Sequence, residues 1–354
     1  MPKPFVSVLI DTYNHECFIE QAIVSVLEQA IPASEMEILV VDDGSTDNTP
    51  AVIRKFVPRV RHLRKANGGQ ASAFNAGIPE TRGQIIAFLD GDDWWARDKL
   101  RVVLGELEKK PEVGTLGHGI IETDLETGLT TPIRPQVECH LRFLNPREAS
   151  LFSQLRCFLG TSRVTIRKTI LDRVLPIPEE LVVEADEFMF TLAVAVSGAI
   201  VLERPLTYYR LHADNLFQFR TGDERKVLRK RDVMASLVRN LPPRLAALGV
   251  PRHVVDAVIT PIWVEAERLR LSLGEGKPTD TFRVERAANS LAYCRTSLGY
   301  RAFKLLVLLS TLALPPRQFY RAKSWYAAKG LRKMRRILGE PTPAAPIVTG
   351  GLEA

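Results

Sequence analysis

Four cysteines among 354 residues, Cys17, Cys139, Cys157 and Cys294, stand without any CxxC spacing. That sparsity implies neither a zinc ribbon nor a disulfide framework, and it fits a reducing compartment. No apolar run approaches the roughly 20 residues needed to span a bilayer. The opening Met1-Pro2-Lys3-Pro4-Phe5 runs into strand-like sequence without a signal-peptide pattern, so a cytoplasmic location is expected. Neither a Walker A loop nor GxGxxG is present, so phosphate would have to be held by metal and side chains rather than by a glycine-rich cradle. No internal repeat is visible. Acidic residues are missing altogether from Pro315 to Gly339, where Arg317, Arg321, Lys323, Lys329, Arg332, Lys333, Arg335 and Arg336 fall. The net charge of +7 is thus concentrated in one tail, without a recognisable base-reading motif, and nucleic acid is not the expected partner.

What remains is ordinary globular composition, 45% hydrophobic and 25% charged, enough for a large domain and a smaller one. From Val6 to Leu89 strands and helices alternate. Val6 to Ile10, Glu37 to Val41, Val60 to Leu63 and Ile85 to Leu89 read as strands. Phe18 to Leu27, Thr49 to Phe56 and Gln70 to Ile78 read as helices between them. A helix over 99–109 follows, and 113–121 and 162–166 add strands. Such βαβα order predicts an α/β fold with a mostly parallel sheet flanked by helices. Beyond Asp223 apolar residues recur only at helical spacing. The expected organisation is a domain over 1–220, a helical C-terminal extension over 221–340 and a disordered tail rich in Pro, Gly and Ala over 341–354.

The most informative stretch is Phe88-Leu89-Asp90-Gly91-Asp92-Asp93-Trp94-Trp95. A buried strand ends in three carboxylates within four positions. Like charges so close raise one another's pKa, and a hard divalent cation such as Mg²⁺ or Mn²⁺ is the simplest way to offset the repulsion. Carboxyl ends of strands are where open α/β sheets bind ligands. A second cluster, Asp42-Asp43-Gly44-Ser45, closes the second strand on the same edge, where an acid can accept hydrogen bonds from a base or ribose. Turn and helix-cap chemistry explains that segment equally well when it is taken alone. An EF-hand is excluded: the twelfth positions counted from Asp42 and Asp90 are Ile53 and Arg101, where a Glu is required.

Four segments in order, Val6 to Asn14, Val40 to Asp47, Asn67-Gly68-Gly69 with Asn75 to Gly77, and Leu89-Asp90-Gly91-Asp92-Asp93, resemble the signatures of family 2 glycosyltransferases. That family has the GT-A fold. The resemblance implies inverting transfer of a sugar from a nucleotide-diphosphate sugar, UDP by default, to an acceptor hydroxyl. It implies Mn²⁺ or Mg²⁺ as cofactor. By position it places Asp11, Tyr13, Asp43, Asn67 and Asp90 around the nucleotide and makes Asp92 the principal metal ligand. Asp93 is a further ligand or the cap of a helix before Trp94. The family's acidic motif is interrupted here, in Val183-Glu184-Ala185-Asp186-Glu187. Asp186 aligns with the general base, with Glu187 and Glu184 as alternatives, and the helix dipole alone also favours acids at such a position. Tyr208 to Asn215 is similar to a following segment of the family; the resemblance implies that Arg210 pairs with the diphosphate and that His212 joins the metal or touches the diphosphate. Thr161, Ser162 and Trp95 are candidates for the acceptor side. The remaining histidines, His15 among them, receive no role.

Leu305 to Leu314 is apolar but too short to span a bilayer. Phe319, Tyr320, Trp325 and Tyr326 interleave with the basic residues. A peripheral membrane contact through 303–338, at the inner face of the cell membrane, is expected. It suits an enzyme that modifies a saccharide or lipid-linked acceptor in polysaccharide or glycolipid assembly. The alternatives are a sugar nucleotidyltransferase and a catalytically inactive sugar-nucleotide binding module. Asp11 to Glu16 argues against the first, whose glycine-rich, basic loop belongs there.

Overall fold

The computed structural model describes residues 5–212, 224–292 and 298–328. Within them, residues up to His212 together with 243–254 form one compact unit. The other comprises residues up to Pro242 from the start of the second segment, with 255–328. The tail over 341–354, the cations from Lys329 to Arg336, and Asp214 and Asn215 lie outside the described residues.

The first unit opens with β1 (Val6–Thr12), α1 (Ile19–Leu27), β2 (Met36–Asp42), α2 (Thr49–Arg54), β3 (Arg61–Arg64), α3 (Gln70–Glu80) and β4 (Ile85–Asp90). These are the alternating elements read from the sequence; β1, β2 and β4 run one or two residues beyond their apolar stretches, and β3 is shifted by one residue toward its C-terminal end. β3, β2, β1 and β4 lie side by side and parallel. Their apolar residues are buried because helices cover them. Val8, Ile10, Ile38, Val40, Ala87 and Leu89 share one core with Ile19, Ile23 and Val26 of α1.

Then come β5 (Trp94–Trp95), α4 (Lys99–Lys109), β6 (Thr115–Asp124), β7 (Thr130–Ile133), β8 (Cys139–Leu141), α5 (Pro146–Leu155), β9 (Thr165–Arg167), α6 (Lys168–Val174), α7 (Ala185–Ser197) and β10 (Ala199–Leu211). The sheet continues from β4 as β9-β6-β10-β5. β9 is antiparallel to both β4 and β6, while β6 and β10 are parallel. The GT-A type α/β architecture stands as expected, its parallel half carrying the four strands read first. One local reading is corrected. No helix starts at Trp94, so Asp93 is not a helix cap. Trp94 and Trp95 instead pair antiparallel with Tyr208 and Thr207, and α4 begins only after Asp98.

α8 (Glu224–Ala247) contributes to both units. The second unit otherwise holds α9 (Arg252–Ser272) from Val255 onward, with α10 (Pro278–Ala292), α11 (Leu298–Ala313) and α12 (Pro316–Ala328). No strand follows Leu211 among the described residues, as the loss of strand-turn alternation predicts. Val264, Leu271, Val284, Phe319 and Tyr320 form the core of this unit. Glu285 is buried beside it. It accepts hydrogen bonds from Arg268 at 2.8 and 3.0 Å, Lys323 at 2.8 Å and the Tyr320 hydroxyl at 3.1 Å. One carboxylate thereby ties α9, α10 and α12. No described helix is long and apolar enough to cross a membrane. α11 nevertheless leaves Leu305, Leu306, Leu309 and Leu312 exposed, and their spacing puts all four on one helix face.

Candidate active site

Three parallel strands end together. Asp11 on β1 stands opposite Asp90 on β4, and Thr12 stands opposite Asp42 on β2. Strand alternation and the turns that follow decide which carboxylates face the site. Asp42 turns inward and is fully buried. It accepts a hydrogen bond from the Ser45 amide at 2.8 Å and lies 3.6 and 3.5 Å from His62 and Arg64. Its work is to hold the turn. Asp43 sits in a cradle formed by the loop before α3. Lys65 Nζ donates to it at 2.7 Å, and the amides of Gly68 and Gly69 donate at 3.1 and 2.7 Å. Gly69 has φ +82°, and a Cβ there would lie 2.6 Å from the Val182 Cα, so the cradle requires glycine. Asn67 is exposed at its rim. Tyr13 is exposed too, next to the left-handed Asn14, whose side-chain oxygen accepts from the Thr46 amide at 2.8 Å.

Asp11 and Asp90 share an enclosed, like-charged setting. Burial, with repulsion from Asp92 and Asp186, pushes the Asp11 carboxyl well above the ordinary range. Its Oδ1 has no hydrogen-bond partner. Burial, then repulsion from Asp11 and Asp92, does the same to Asp90. An unpartnered buried carboxylate oxygen beside two like-charged neighbours is what a cation or a nucleotide hydroxyl would satisfy.

Asp92 differs. Burial alone would raise it, but the His212 hydrogen bond and the charges of His15 and His212 outweigh burial and hold it low. His212 Nε2 lies 3.1 Å and His15 Nε2 3.9 Å from Asp92 Oδ2. The sequence pattern overlooked His15. The signal was its place directly after the Asp11 to Asn14 segment, on the loop leaving a site strand. Among the described residues, no three acidic, histidine or cysteine side chains form a ready-made metal cage. The fit to a cation therefore rests on Asp92 with His212, a mixed oxygen and nitrogen set that suits Mn²⁺ better than Mg²⁺, and on the unsatisfied Asp11 oxygen.

Asp93 accepts from the Arg210 amide at 2.9 Å, and burial plus repulsion from Asp92 raise it to about 7. Arg210 lies across the rings of Phe18 and Trp94. It donates to the Asp92 carbonyl at 2.6 Å and to Gln21 at 2.7 Å. It thus reaches the Asp92 loop, with Nε and Nη2 engaged within the protein. Trp94 stacks flat on Tyr208 at 5.0 Å.

The three acceptor-side candidates turn inward. Trp95 is buried, its indole N–H donating to the Ser162 carbonyl at 3.0 Å and its ring face covered by Lys99 at 3.4 Å. It walls no open site, because its edge and one face are already occupied. Thr161 and Ser162 are equally buried, and their hydroxyls serve carboxylates: Thr161 serves Asp186, and Ser162 serves Asp90.

The acidic motif does start a helix. Glu184 precedes α7 in a left-handed conformation at φ 57°, and Asp186 and Glu187 lie in its first turn. Their surroundings separate them. Glu187 is paired with Arg156. Asp186 accepts from the Thr161 amide at 2.9 Å and the Thr161 hydroxyl at 3.0 Å. Burial nonetheless raises its pKa. Its field reaches Asp11 and Asp90, so it belongs to the same electrostatic site although nearly a hundred residues separate it from Asp90.

Carboxylates gathered at the carboxyl edge of a parallel sheet, next to a cradled acid and a helix-borne acid, make this edge the candidate active site of an α/β fold. The chain belongs to glycosyltransferase family 2: the family described as Glycosyl transferase family 2 matches residues 7–174, stopping short of α7. An uncharacterised glycosyltransferase of Nostoc sp. is 34% identical over 218 residues, 59% of this chain and 66% of that protein. The putative teichuronic acid biosynthesis glycosyltransferase TuaG of Bacillus subtilis is 38% identical over 127 residues, 34% of this chain and half of that protein. The chain thus spans two thirds or less of these relatives. The structure of S. aureus TarS residues 1–349 with UDP-GlcNAc superposes with a TM-score of 0.61 at 18% identity, covering 91% of each chain. That likeness bears on the fold.

Proposed function

We propose that this enzyme transfers a sugar, with inversion, from a nucleotide-diphosphate donor to an acceptor hydroxyl. The observation that carries the reading is the convergence, from three distant segments, of Asp11, Asp90 and Asp92 at one sheet edge with Asp186 at the start of α7, whose charge acts on both Asp11 and Asp90. UDP-sugars are the first donors to test, since TarS was solved with UDP-GlcNAc. Assembly of a cell-surface polysaccharide or glycolipid is the first setting to test, given TuaG's assigned pathway. Asp43, Asp11 and Asp90 bind the nucleoside, with Tyr13 and Asn67 at the rim. Asp92 and His212 hold Mn²⁺ or Mg²⁺, which when bound offsets the charge of the leaving diphosphate. Arg210 supports that diphosphate through its place beside the Asp92 loop. Asp186 takes the proton of the attacking hydroxyl. Its raised pKa brings it nearer to working pH, as general-base catalysis favours, and a single base with in-line attack is sufficient for inversion. Glu187 is the weaker candidate because its charge is committed to Arg156. We assign this chemistry to residues 1–220.

The test is a panel of nucleotide sugars with Mn²⁺, read as released nucleoside diphosphate. Pyrophosphate as product would identify a nucleotidyltransferase instead. Tight nucleotide binding without turnover would identify a binding module. Asp92→Ala should weaken metal and nucleotide binding together, and unchanged metal affinity would contradict its ligand role.

We also assign residues 303–338 to contact with the inner membrane face. The exposed leucine face of α11 supports this, as do Arg317, Arg321 and the exposed Trp325 of α12, in a stretch without acidic residues.

A further inference from the structure

We propose that the adjacent residues Thr161 and Ser162 are positioning residues, a two-residue bridge that fixes Asp186 relative to the donor-site carboxylate Asp90. The inference rests on the reading of Asp186 as base and adds a device to it. The hydrogen-bond directions follow from elimination. The Ala185 amide can only donate, so the Gln70 atom 2.9 Å from it is the carbonyl Oε1. The other arm of Gln70 is therefore the amine, which donates to Thr161 Oγ1 at 3.0 Å. With that acceptor position filled by Gln70, the single hydroxyl proton of Thr161 points to Asp186 Oδ2, 3.0 Å away, beside the Thr161 amide at 2.9 Å. A donor fixed in this way holds the carboxylate in one rotamer and favours its ionised form.

Ser162 repeats the arrangement on the donor side. Its Oγ accepts from the Asp90 amide at 3.1 Å, and its hydroxyl donates to Asp90 Oδ2 at 3.1 Å. The Ser162 carbonyl anchors the bridge. It receives the Trp95 indole N–H at 3.0 Å, Lys99 Nζ at 3.1 Å and the Thr207 hydroxyl at 2.6 Å. These donors come from β5, the start of α4 and β10, and all are buried. Moving the Thr161-Ser162 segment would strand several buried donors of the Ser162 carbonyl at once, each an unfavourable loss. The bridge therefore fixes the distance between the atom that takes the acceptor proton and the carboxylate beside the leaving group. Trp95, Lys99 and Thr207 act through it without touching substrate.

The experiment uses the full chain with whichever donor the nucleotide-release panel identifies. Thr161→Val keeps the side-chain shape and the backbone bond but removes the hydroxyl. It should lower kcat by about 10- to 100-fold, the scale of a small misplacement of a reacting group, with donor KM within about twofold. Thr161→Ser should restore most of the rate. Ser162→Ala should shift the loss toward donor KM and nucleotide affinity. Unchanged kcat in Thr161→Val, or a loss that serine does not rescue, overturns the bridge. Should Thr161→Val fail to fold, Gln70→Met removes the group that orients the hydroxyl: a fall in kcat at constant KM supports the bridge, and wild-type kcat overturns it. Asp186→Asn separates the two readings. If it remains active, the base assignment fails. If it is inactive while Thr161→Val is normal, the bridge alone fails.

Discussion

Asp186 and Glu187 are consecutive, acidic and in the same helical turn, yet their neighbours give them different work. Glu187 is nearly buried and paired with Arg156. Removing its charge weakens the link to Arg156, and losing a hydrogen bond to a charged group costs about 1.5–3 kcal/mol. Glu187→Gln should therefore lower the urea midpoint while the folded fraction still transfers sugar. Asp186 is the reverse case. Its pKa is raised by burial, so its charge opposes folding: the contribution of Asp186 to stability is greatest at low pH and is lost as pH rises through the folded-state pKa. Asp186→Asn should thus melt at or above the wild-type temperature at pH 7 and lose transfer. A lower Tm with retained activity would reverse both assignments. The sequence placed three acids at this helix start and ranked them by family resemblance alone; their physical surroundings depend on Arg156 and Thr161, which arrive from another part of the chain.

At the scale of elements, the turn before α3 shows how closely backbone geometry serves the site. Gly69 is the residue before the helix, adopts φ +82° and donates its amide to Asp43. An alanine would be strained in that conformation and would also press on Val182. Gly69→Ala should cost about 1–3 kcal/mol and weaken nucleotide binding by displacing the cradle from Asp43. A denaturant curve and a nucleotide titration would check both; unchanged binding would detach the cradle from the nucleotide. The strands β1, β2 and β4 and helix α3 were legible because apolar runs and turn residues are local signals. β5 was not. Two tryptophans after an acid look like a helix entry, and only the arrival of Thr207 and Tyr208 makes them a strand.

For the molecule as a whole, the second unit depends on one buried carboxylate. Burial would raise Glu285, but Arg268 and Lys323 outweigh it and lower its pKa from 4.5 to about 2. The charged form is thus favoured by folding. Its stabilisation is complete above about pH 4.5 and is lost as pH falls toward about 2, an effect of about 3 kcal/mol at roughly 1.4 kcal/mol per unit. Glu285→Gln should destabilise this unit at neutral pH and flatten the acid limb of its unfolding profile; the same steep limb in the variant would place the acid sensitivity elsewhere. The same unit carries the leucine face of α11, and the whole protein should sediment with anionic vesicles. Truncation after Gly299 should abolish sedimentation, and equal sedimentation by the truncated chain would count against membrane contact.

The sequence alone determined the strand ends and the acids that stand on them, because burial of apolar runs and the turns that stop them are settled within a few residues. It also determined the family, through four signatures in order. Only the tertiary structure decided what each acid does. Asp42 is spent on a turn, Asp43 is cradled by Lys65, Asp92 meets His212 and an overlooked His15, and Asp186 is held by Thr161. A carboxylate's charge state and reach follow from its burial and from the partners folding brings to it, and those partners lie up to about 120 residues away.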